Sequence, residues 1–209
     1  MAKIILASTS PRRKEIMRKA GLKFKVVPSN YQEKKHRHLT PVQLVKMMAY
    51  GKARAVAKNY PNDIVIGADT VVEFKGEIMG KPRHKKDARR MLTALRGKIN
   101  YVVTGVSVIH LSKKKFAHFV SRVKIVCKNY SVHVVEKYVK SGEPLDKAGA
   151  YAPEGFGKKL IKKIIGDKSA ALGLPVGELK KVLKRLSEPS SPGKEKRGAI
   201  ETKIKFFRH

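Results

Sequence analysis

The fold is decided near the start of the chain, by the segment Ile4-Ile5-Leu6-Ala7-Ser8-Thr9-Ser10-Pro11-Arg12-Arg13. Its apolar first half is typical of a buried strand. Ser10-Pro11 is typical of a helix start, because a hydroxyl can cap free backbone N–H groups and proline suits the first helical position. Apolar residues at helical spacing follow until Gly21, a residue type that often ends helices. We therefore predict a strand, a tight turn and a helix up to Gly21.

The turn in this segment carries polar groups that suit an anion. Ser8 and Ser10 supply hydroxyls, the helix start supplies N–H groups, and Arg12 and Arg13 supply two guanidiniums. Helix starts attract negative charge, and arginine binds phosphate oxygens in a bidentate manner. The pattern favours a phosphate site. The alternative is an ordinary capped helix with two solvent-exposed arginines.

A second buried strand is predicted at 64–68, where the apolar run Ile-Val-Ile-Gly-Ala is bounded by polar residues. This strand would deliver Asp69 and Thr70 at its carboxyl end, where ligands usually bind in α/β sheets. A carboxylate there can bind a divalent cation or take a proton from water. The alternative is an aspartate that only ends the strand in a turn.

Three further charged residues are candidates for the same chemistry. Lys52 lies on a helix predicted from Thr40 to about Asn59, and Lys81 lies in a rigid Gly-Lys-Pro loop. Either lysine could hold phosphate oxygens, although a chain with 48 basic residues has many lysines that are only surface charges. Glu33 is an acid among basic neighbours, and its alternative interpretation is a surface ion pair.

The rest of the chain gives a coarse order of elements. Apolar patterns predict a hairpin at 71–79, a helix at 87–95, a long antiparallel pair at 101–111 and 116–128, a helix from 131 to 142, a loop at 142–157, a short helix at 160–165, a strand at 170–174 and a final helix at 176–186. Apolar periodicity ends there. We therefore expect one domain at 1–186 and a basic, flexible tail at 187–209.

The charge of the chain is strongly positive, with 48 Lys and Arg against 16 Asp and Glu and a net charge of +32. Such a charge attracts nucleic acid, anionic membranes and phosphorylated small molecules alike. The lysines are spread along the chain and only 7% of the residues are aromatic, which favours solvated basic faces over a dedicated nucleic-acid module. Redesign of the surface or an unusual intracellular salt regime would produce the same charge.

Composition also limits the location of the protein. No apolar run approaches the roughly 20 residues that a transmembrane helix needs, so we expect no transmembrane protein. The single cysteine, Cys127, allows no internal disulfide and no cysteine metal cage, which fits a reducing interior. We interpret Cys127 as a buried apolar filler and expect a cytoplasmic protein.

Six or more motifs, in order over about residues 4 to 186, resemble the Maf family of nucleoside triphosphate pyrophosphatases. They are Leu6-Ala7-Ser8-Thr9-Ser10-Pro11-Arg12-Arg13, Lys52-Ala53, Gly67-Ala68-Asp69-Thr70-Val71-Val72, Gly80-Lys81-Pro82, Thr104-Gly105-Val106, Gly142-Glu143-Pro144-Leu145-Asp146-Lys147-Ala148-Gly149-Ala150-Tyr151 and Gly173-Leu174-Pro175. The resemblance implies an α/β, Maf/Ham1-like (ITPase-like) fold, in which an elongated mixed sheet with flanking helices forms two lobes around a central cleft. It also implies a homodimer.

The implied reaction is hydrolysis of a nucleoside triphosphate to the monophosphate and pyrophosphate, with Mg²⁺ or Mn²⁺ as the divalent cation. By the resemblance, Asp69 is the proton acceptor and, with Glu33, a metal ligand. The remaining polar residues of the cleft match Lys52, Lys81 and Glu33 as catalytic residues and Ser8, Ser10, Arg12 and Arg13 as phosphate-binding residues. In physical terms the cation and the basic side chains neutralise the triphosphate, while Asp69 prepares a water for attack at the α-phosphorus.

Substrate choice follows three positions of the family pattern. Arg12, Thr70 and a later glutamine mark the branch that acts on dTTP and UTP, and the first two are present in this chain. The third position is Glu154, and glutamate there resembles the branch that acts on 7-methyl-GTP. An amide suits the mixed edge of uracil or thymine, whereas a carboxylate only accepts hydrogen bonds and suits the N–H groups of guanine. Two features against one favour dTTP and UTP, modified pyrimidine nucleotides included.

Overall fold

The chain folds around one long mixed sheet, as seen in a computed structural model that describes residues 2–32 and 38–187. The strands are β1 (Ile4–Leu6), β2 (Lys25–Val26), β3 (Ile64–Phe74), β4 (Glu77–Met79), β5 (Ile99–His110), β6 (Lys115–Cys127) and β7 (Ile161–Ile165). Their order is β2-β1-β3-β5-β6-β7, with β4 also paired to β3. β1 runs parallel to β2 and β3, and the other pairs are antiparallel.

Helices cover both faces of the sheet. They are α1 (Pro11–Lys19), α2 (Pro41–Ala57), α3 (Lys85–Leu95), α4 (Val132–Lys140), α5 (Lys168–Ala171) and α6 (Val176–Ser187), with short 3-10 helices at Glu143–Asp146, Ala148–Ala150 and Gly157–Leu160. None of the described helices has the length and apolar character needed to span a bilayer. Since α6 ends at Ser187, nearly all of the predicted 187–209 tail lies outside the described residues.

Of the four apolar clusters in the described residues, two lie at opposite ends of the long strands and mark the two lobes. In the first, α1 and α6 pack on β1 and the start of β3, through side chains such as Leu6, Met17 and Leu179. In the second, α3 and α4 pack on the other end of the sheet, through Leu92 and Ile125 among others. The cleft lies between these lobes, and the predicted α/β architecture with an elongated mixed sheet is confirmed.

The prediction for the strand at 64–68 is wrong in one respect that concerns Asp69. The structure has a single strand, β3, where we predicted a short strand followed by a separate hairpin strand. Asp69 therefore lies within β3 rather than at its carboxyl end. β5 pairs with β3 along the whole stretch from Ile64 to Glu73, so the backbone stays extended past Asp69. The hairpin from β3 to β4 is confirmed.

Two predictions near the end of the chain are wrong. Residues 161–165 form the strand β7 rather than a helix, because this isoleucine-rich run pairs with β6. Residues 168–171 form α5 rather than the start of a strand, because the Asp167 carboxylate accepts a hydrogen bond from the Ser169 N–H and caps a helical turn. Short apolar runs do not separate helix from strand by periodicity alone.

Candidate active site

A gap in the sheet exposes the middle of β3. On one edge of β3, β1 pairs with Ile64 to Ile66 and β4 pairs with Val72 to Phe74. Between these two partners the edge is open, and Asp69 and Thr70 lie there. Successive residues of a strand point to opposite faces, but an open edge lets one cavity reach both side chains. Both residues line the same cavity of about 380 Å³.

Close packing of α2 on the sheet places a lysine next to Asp69. A Cβ on Gly67 would lie 2.3 Å from the Ala49 carbonyl oxygen, and one on Gly105 would lie 2.6 Å from the Val45 carbonyl oxygen. Both glycines therefore allow the backbone of α2 to lie directly against β3 and β5. As a result the Lys52 ammonium donates a hydrogen bond of 2.6 Å to Oδ1 of Asp69, and each side chain is only 15% exposed.

The turn between β1 and α1 behaves differently from the predicted capped helix start. Ser10 stands at the N-cap of α1, but its hydroxyl makes no capping hydrogen bond and Ser10 lines the cavity instead. The Ser10 N–H donates to the Ser8 hydroxyl at 3.2 Å. Ser8 itself is buried behind the cavity wall. The turn therefore presents one hydroxyl to the cavity and keeps the other inside the fold.

Arg13 ties this turn to β3. Its guanidinium donates to the Gly173 carbonyl at 2.9 Å, to the Thr70 hydroxyl at 3.1 Å and to the Ser8 hydroxyl at 3.3 Å. The Thr70 and Thr104 hydroxyls lie 3.0 Å apart, and Thr104 donates to the Ala170 carbonyl. Since Thr104 uses its only proton there, Thr70 must donate to Thr104 and accept from Arg13.

Arg12 contacts acidic residues that come from a much later part of the chain. Its guanidinium donates to the Asp146 carboxylate and to the Asp146 carbonyl, both at 3.3 Å, and lies 3.5 Å from the Glu154 carboxylate. Burial raises the pKa of Asp146, but hydrogen bonds and positive charge from Lys147 and Arg12 outweigh burial and hold this pKa below its ordinary value. The arginine and the acids thus form one charged network at the cavity mouth.

The structure brings most of the predicted site residues together. Those that line the cavity are Ser10, Arg12, Arg13, Lys52, Asp69, Thr70 and Lys81. Ser8 supports Arg13 from behind the wall, and Glu154 reaches the site through Arg12. Glu33 lies outside the described residues.

Three polar residues of the cavity, Asp146, Lys147 and Tyr151, had no role among the predicted catalytic, phosphate-binding and metal-binding residues. All three come from the predicted loop at 142–157, in the part that carries one of the family motifs. That segment instead holds two 3-10 helices: Asp146 ends the first, Lys147 lies between the two, and Tyr151 follows the second. The available signal was the motif containing Asp146 and Lys147, which combined a charged pair with glycines but lacked any periodicity.

The described donor set fits a cation that arrives with a triphosphate. Asp69 supplies a carboxylate in the cavity, while the other predicted ligand, Glu33, is not described. Within residues 2–32 and 38–187, no group of three or more His, Cys, Asp or Glu side chains is placed to hold a metal ion. Mg²⁺ usually binds through one or two carboxylates together with substrate phosphates rather than in an all-protein cage.

Comparisons with known proteins agree with the motifs. The profile of the Maf family, described as Maf-like protein, matches residues 3–186. A dTTP/UTP pyrophosphatase from Dictyoglomus thermophilum is 46% identical over 184 residues, 88% of this chain and 95% of that protein. One from Geobacillus sp. is 40% identical over 186 residues, 89% of this chain and 99% of that protein. Among solved structures, a HAM1 protein from Coxiella burnetii has a TM-score of 0.46 at 18% identity, over 88% of this chain and 100% of that chain.

Proposed function

The chain belongs to the Maf family, and we propose that it is a nucleoside triphosphate pyrophosphatase that acts on dTTP and UTP. The observation that carries this proposal is the Lys52–Asp69 pair at the open edge of β3. It stands in a cavity that Arg12 and Lys81 also line, so a carboxylate and several cations converge where a triphosphate would bind.

In the proposed reaction Asp69 accepts a proton from the attacking water. The water oxygen forms a bond to the α-phosphorus, and the bond from the α-phosphorus to the oxygen bridging to the β-phosphorus breaks. A nucleoside monophosphate and pyrophosphate leave, and Asp69 returns its proton to solvent. The Lys52 ammonium orients the Asp69 carboxylate and adds positive charge beside the phosphates.

The polar residues of the proposed phosphate site have two different roles. We propose that Ser10, Arg12 and Lys81, which line the cavity, contact phosphate oxygens directly. Arg13 and Ser8 complete this phosphate site from behind, because Arg13 already donates to Ser8 and to other acceptors of the wall. We propose Asp69 and Glu33 as the protein ligands of Mg²⁺ or Mn²⁺. The bound cation supplies further neutralisation of the triphosphate charge.

Base preference is proposed to be for dTTP and UTP, with 7-methyl-GTP as the alternative. Two relatives of 40–46% identity carry the name dTTP/UTP pyrophosphatase, and Arg12 and Thr70 match the same branch. Glu154 departs from that branch, and its carboxylate already faces Arg12 at 3.5 Å. An assay of pyrophosphate release from dTTP, UTP, CTP, GTP and 7-methyl-GTP, with Mg²⁺ or Mn²⁺, tests the choice. A preference for 7-methyl-GTP would overturn it.

The catalytic assignment is tested by Asp69→Asn. Loss of the general base should lower kcat by about 10²- to 10⁴-fold while the protein stays folded. Asp63→Asn is the matched control, because Asp63 immediately precedes β3, accepts a hydrogen bond from the Lys3 N–H, and keeps an accepting oxygen as asparagine. Unchanged turnover in Asp69→Asn, with normal circular dichroism, would end the assignment.

A second candidate function is nonspecific binding of nucleic acid, favoured by the net charge of +32. Lys162 and Lys163 are exposed on β7, the outermost strand of the described sheet beside β6. Titration of labelled duplex DNA and RNA at about 50 and 200 mM salt tests this function, since affinity through phosphate contacts falls steeply with salt. Weak binding that does not respond to salt would remove it.

We also propose a homodimer located in the cytoplasm, with 1–186 as the catalytic domain and 187–209 as an appended tail. The family resemblance supports the dimer and the domain limits, and the single cysteine supports the reducing compartment. Light scattering should give about twice the mass of one chain, and a chain ending at 186 should keep its pyrophosphatase activity. A monomeric mass, or loss of activity on truncation, would contradict these proposals.

A further inference from the structure

The cavity contains a buried lysine, Lys147, that takes no part in the reaction proposed above. Its side chain is only 8% exposed. The ammonium donates to the Glu143 carbonyl at 2.6 Å and to Oδ1 of Asp146 at 2.7 Å. A buried ammonium is costly unless it is paired, and these two acceptors satisfy two of its three N–H donors. The segment at 143–147 therefore folds around the Lys147 ammonium.

Asp146 connects Lys147 to Arg12. One carboxylate oxygen, Oδ1, accepts from Lys147, while the other, Oδ2, accepts from Arg12 at 3.3 Å. The carbonyl oxygen of Asp146 accepts from the second terminal nitrogen of Arg12, also at 3.3 Å. A single residue thus holds both ends of the Arg12 guanidinium, and the position of that residue depends on Lys147.

We propose that Lys147 is a positioning residue for substrate recognition, which holds Asp146 so that Asp146 holds Arg12 in its substrate-binding orientation. This inference rests on the proposed function, because it concerns the same cavity. A lysine that only braced the loop would affect stability but not substrate affinity. A lysine that bound phosphate directly would act independently of Arg12.

A double-mutant cycle separates these roles. Lys147→Met should raise KM for dTTP by about tenfold with kcat within about twofold, since an interaction that orients a binding group affects mainly uniform binding. Arg12→Gln should raise KM at least as much. The double variant should be no worse than Arg12→Gln alone, because Lys147 acts through Arg12. Effects that multiply, or a fall in kcat without a change in KM, would overturn the proposal.

A second variant protects the test against misfolding. Asp146→Asn weakens the same link but leaves the Glu143 carbonyl its donor, so it should raise KM and be equally non-additive with Arg12→Gln. Lys158→Met is the control, since Lys158 is an exposed lysine of the following segment and should leave KM and kcat unchanged. If Asp146→Asn is folded and keeps the wild-type KM, the proposal fails.

Calorimetry with the non-hydrolysable α,β-methylene analogue of dTTP separates this proposal from the proposed function. Weaker binding of the analogue by Lys147→Met, by about tenfold, supports the positioning role whether or not turnover is observed. Equal binding by wild type and Lys147→Met defeats the positioning role even if the wild type releases pyrophosphate. Absence of pyrophosphate release from every triphosphate tested, by contrast, defeats the proposed function.

Discussion

Two lysine–aspartate pairs line the same cavity and differ in how the fold holds them. Lys52 and Asp69 come from α2 and β3, lie 2.6 Å apart and are each 15% exposed. Lys147 and Asp146 are neighbours in a segment of 3-10 helices, lie 2.7 Å apart, and leave Asp146 59% exposed. Regular elements fix the first pair rigidly, as the proposed role of Asp69 as general base requires. The second pair is held by a loop, and we propose that it acts on the substrate through Arg12.

The reactivity of the Cys127 thiol measures how tightly the lobe next to the Lys147–Asp146 pair is packed. The Tyr151 hydroxyl, at the cavity wall, donates to Asn100, and Asn100 donates to the Cys127 thiol. Burial raises the pKa of Cys127 from 9.0 to about 11, although the hydrogen bond from Asn100 opposes this effect. At pH 8 the thiolate fraction is then about 100-fold lower, and alkylation by iodoacetamide should be slowed at least that much.

The labelling rate should rise with pH up to about 11 and reach that of a free thiol only in denaturant. Labelling of the native protein at the rate of an exposed cysteine would show that this lobe opens readily. The interpretation of Cys127 as a buried filler, which the structure confirms, would then not explain its behaviour in solution.

Gly67→Ala should disturb the first pair and spare the second. The new methyl group would overlap the backbone of α2 at Ala49 and Ala53, so α2 and Lys52 must move away from Asp69. We expect a loss of about 1–3 kcal/mol in the free energy of unfolding, measured by urea titration, together with lower turnover. Gly177→Ala is the control, since nothing lies within 4 Å of its new Cβ, and should change stability by no more than about 1 kcal/mol. Equal stability of Gly67→Ala and wild type would contradict the packing argument.

Glu154→Gln is the mildest test. It changes only the charged network of Arg12, to which the Lys147–Asp146 pair also belongs. The Arg12–Glu154 pair is partly exposed, with Glu154 42% accessible, so its loss should change kcat/KM by about fivefold or less. The change should favour dTTP and UTP over 7-methyl-GTP, because the amide can both donate and accept. Glu178→Gln, on α6, removes a similar exposed charge and should not alter the ratio. A shift toward 7-methyl-GTP would contradict the role given to Glu154.

The surroundings of the two pairs also differ in how far the sequence predicts them. Around the Lys52–Asp69 pair, the strand and the helices show visible periodicity, so these elements can be assigned. They carry Asp69, Lys52 and the turn from Ser8 to Arg13. The continuation of β3 through Asp69 cannot be assigned, because it depends on pairing with the distant strand β5. For the same reason the sequence pattern wrongly predicts a helix at 160–165, because the strand β7 depends on pairing with β6.

The surroundings of the Lys147–Asp146 pair show no such periodicity. Asp146 ends one 3-10 helix, and Lys147 lies between that helix and the next. These short helices are set by local turns and by packing on the second lobe, neither of which leaves a periodic pattern. The contact of Asp146 with Arg12 joins residues 134 positions apart in the chain. A single sequence does not reveal such a contact, although Asp146 and Lys147 both belong to one of the motifs that carry the family resemblance.

Steady-state kinetics of Lys52→Met and Lys147→Met with dTTP test the central claim most directly, since the same chemical change is made in each pair. Lys52→Met should lower kcat by about 10²- to 10³-fold with KM little changed, because it removes charge that stabilises the transition state. Lys147→Met should raise KM by about tenfold with kcat retained. Lys46→Met, an exposed lysine on α2, should change neither constant. If both cavity variants lower kcat alike, or if Lys52→Met acts only on KM, the division between a catalytic pair and a recognition pair is wrong.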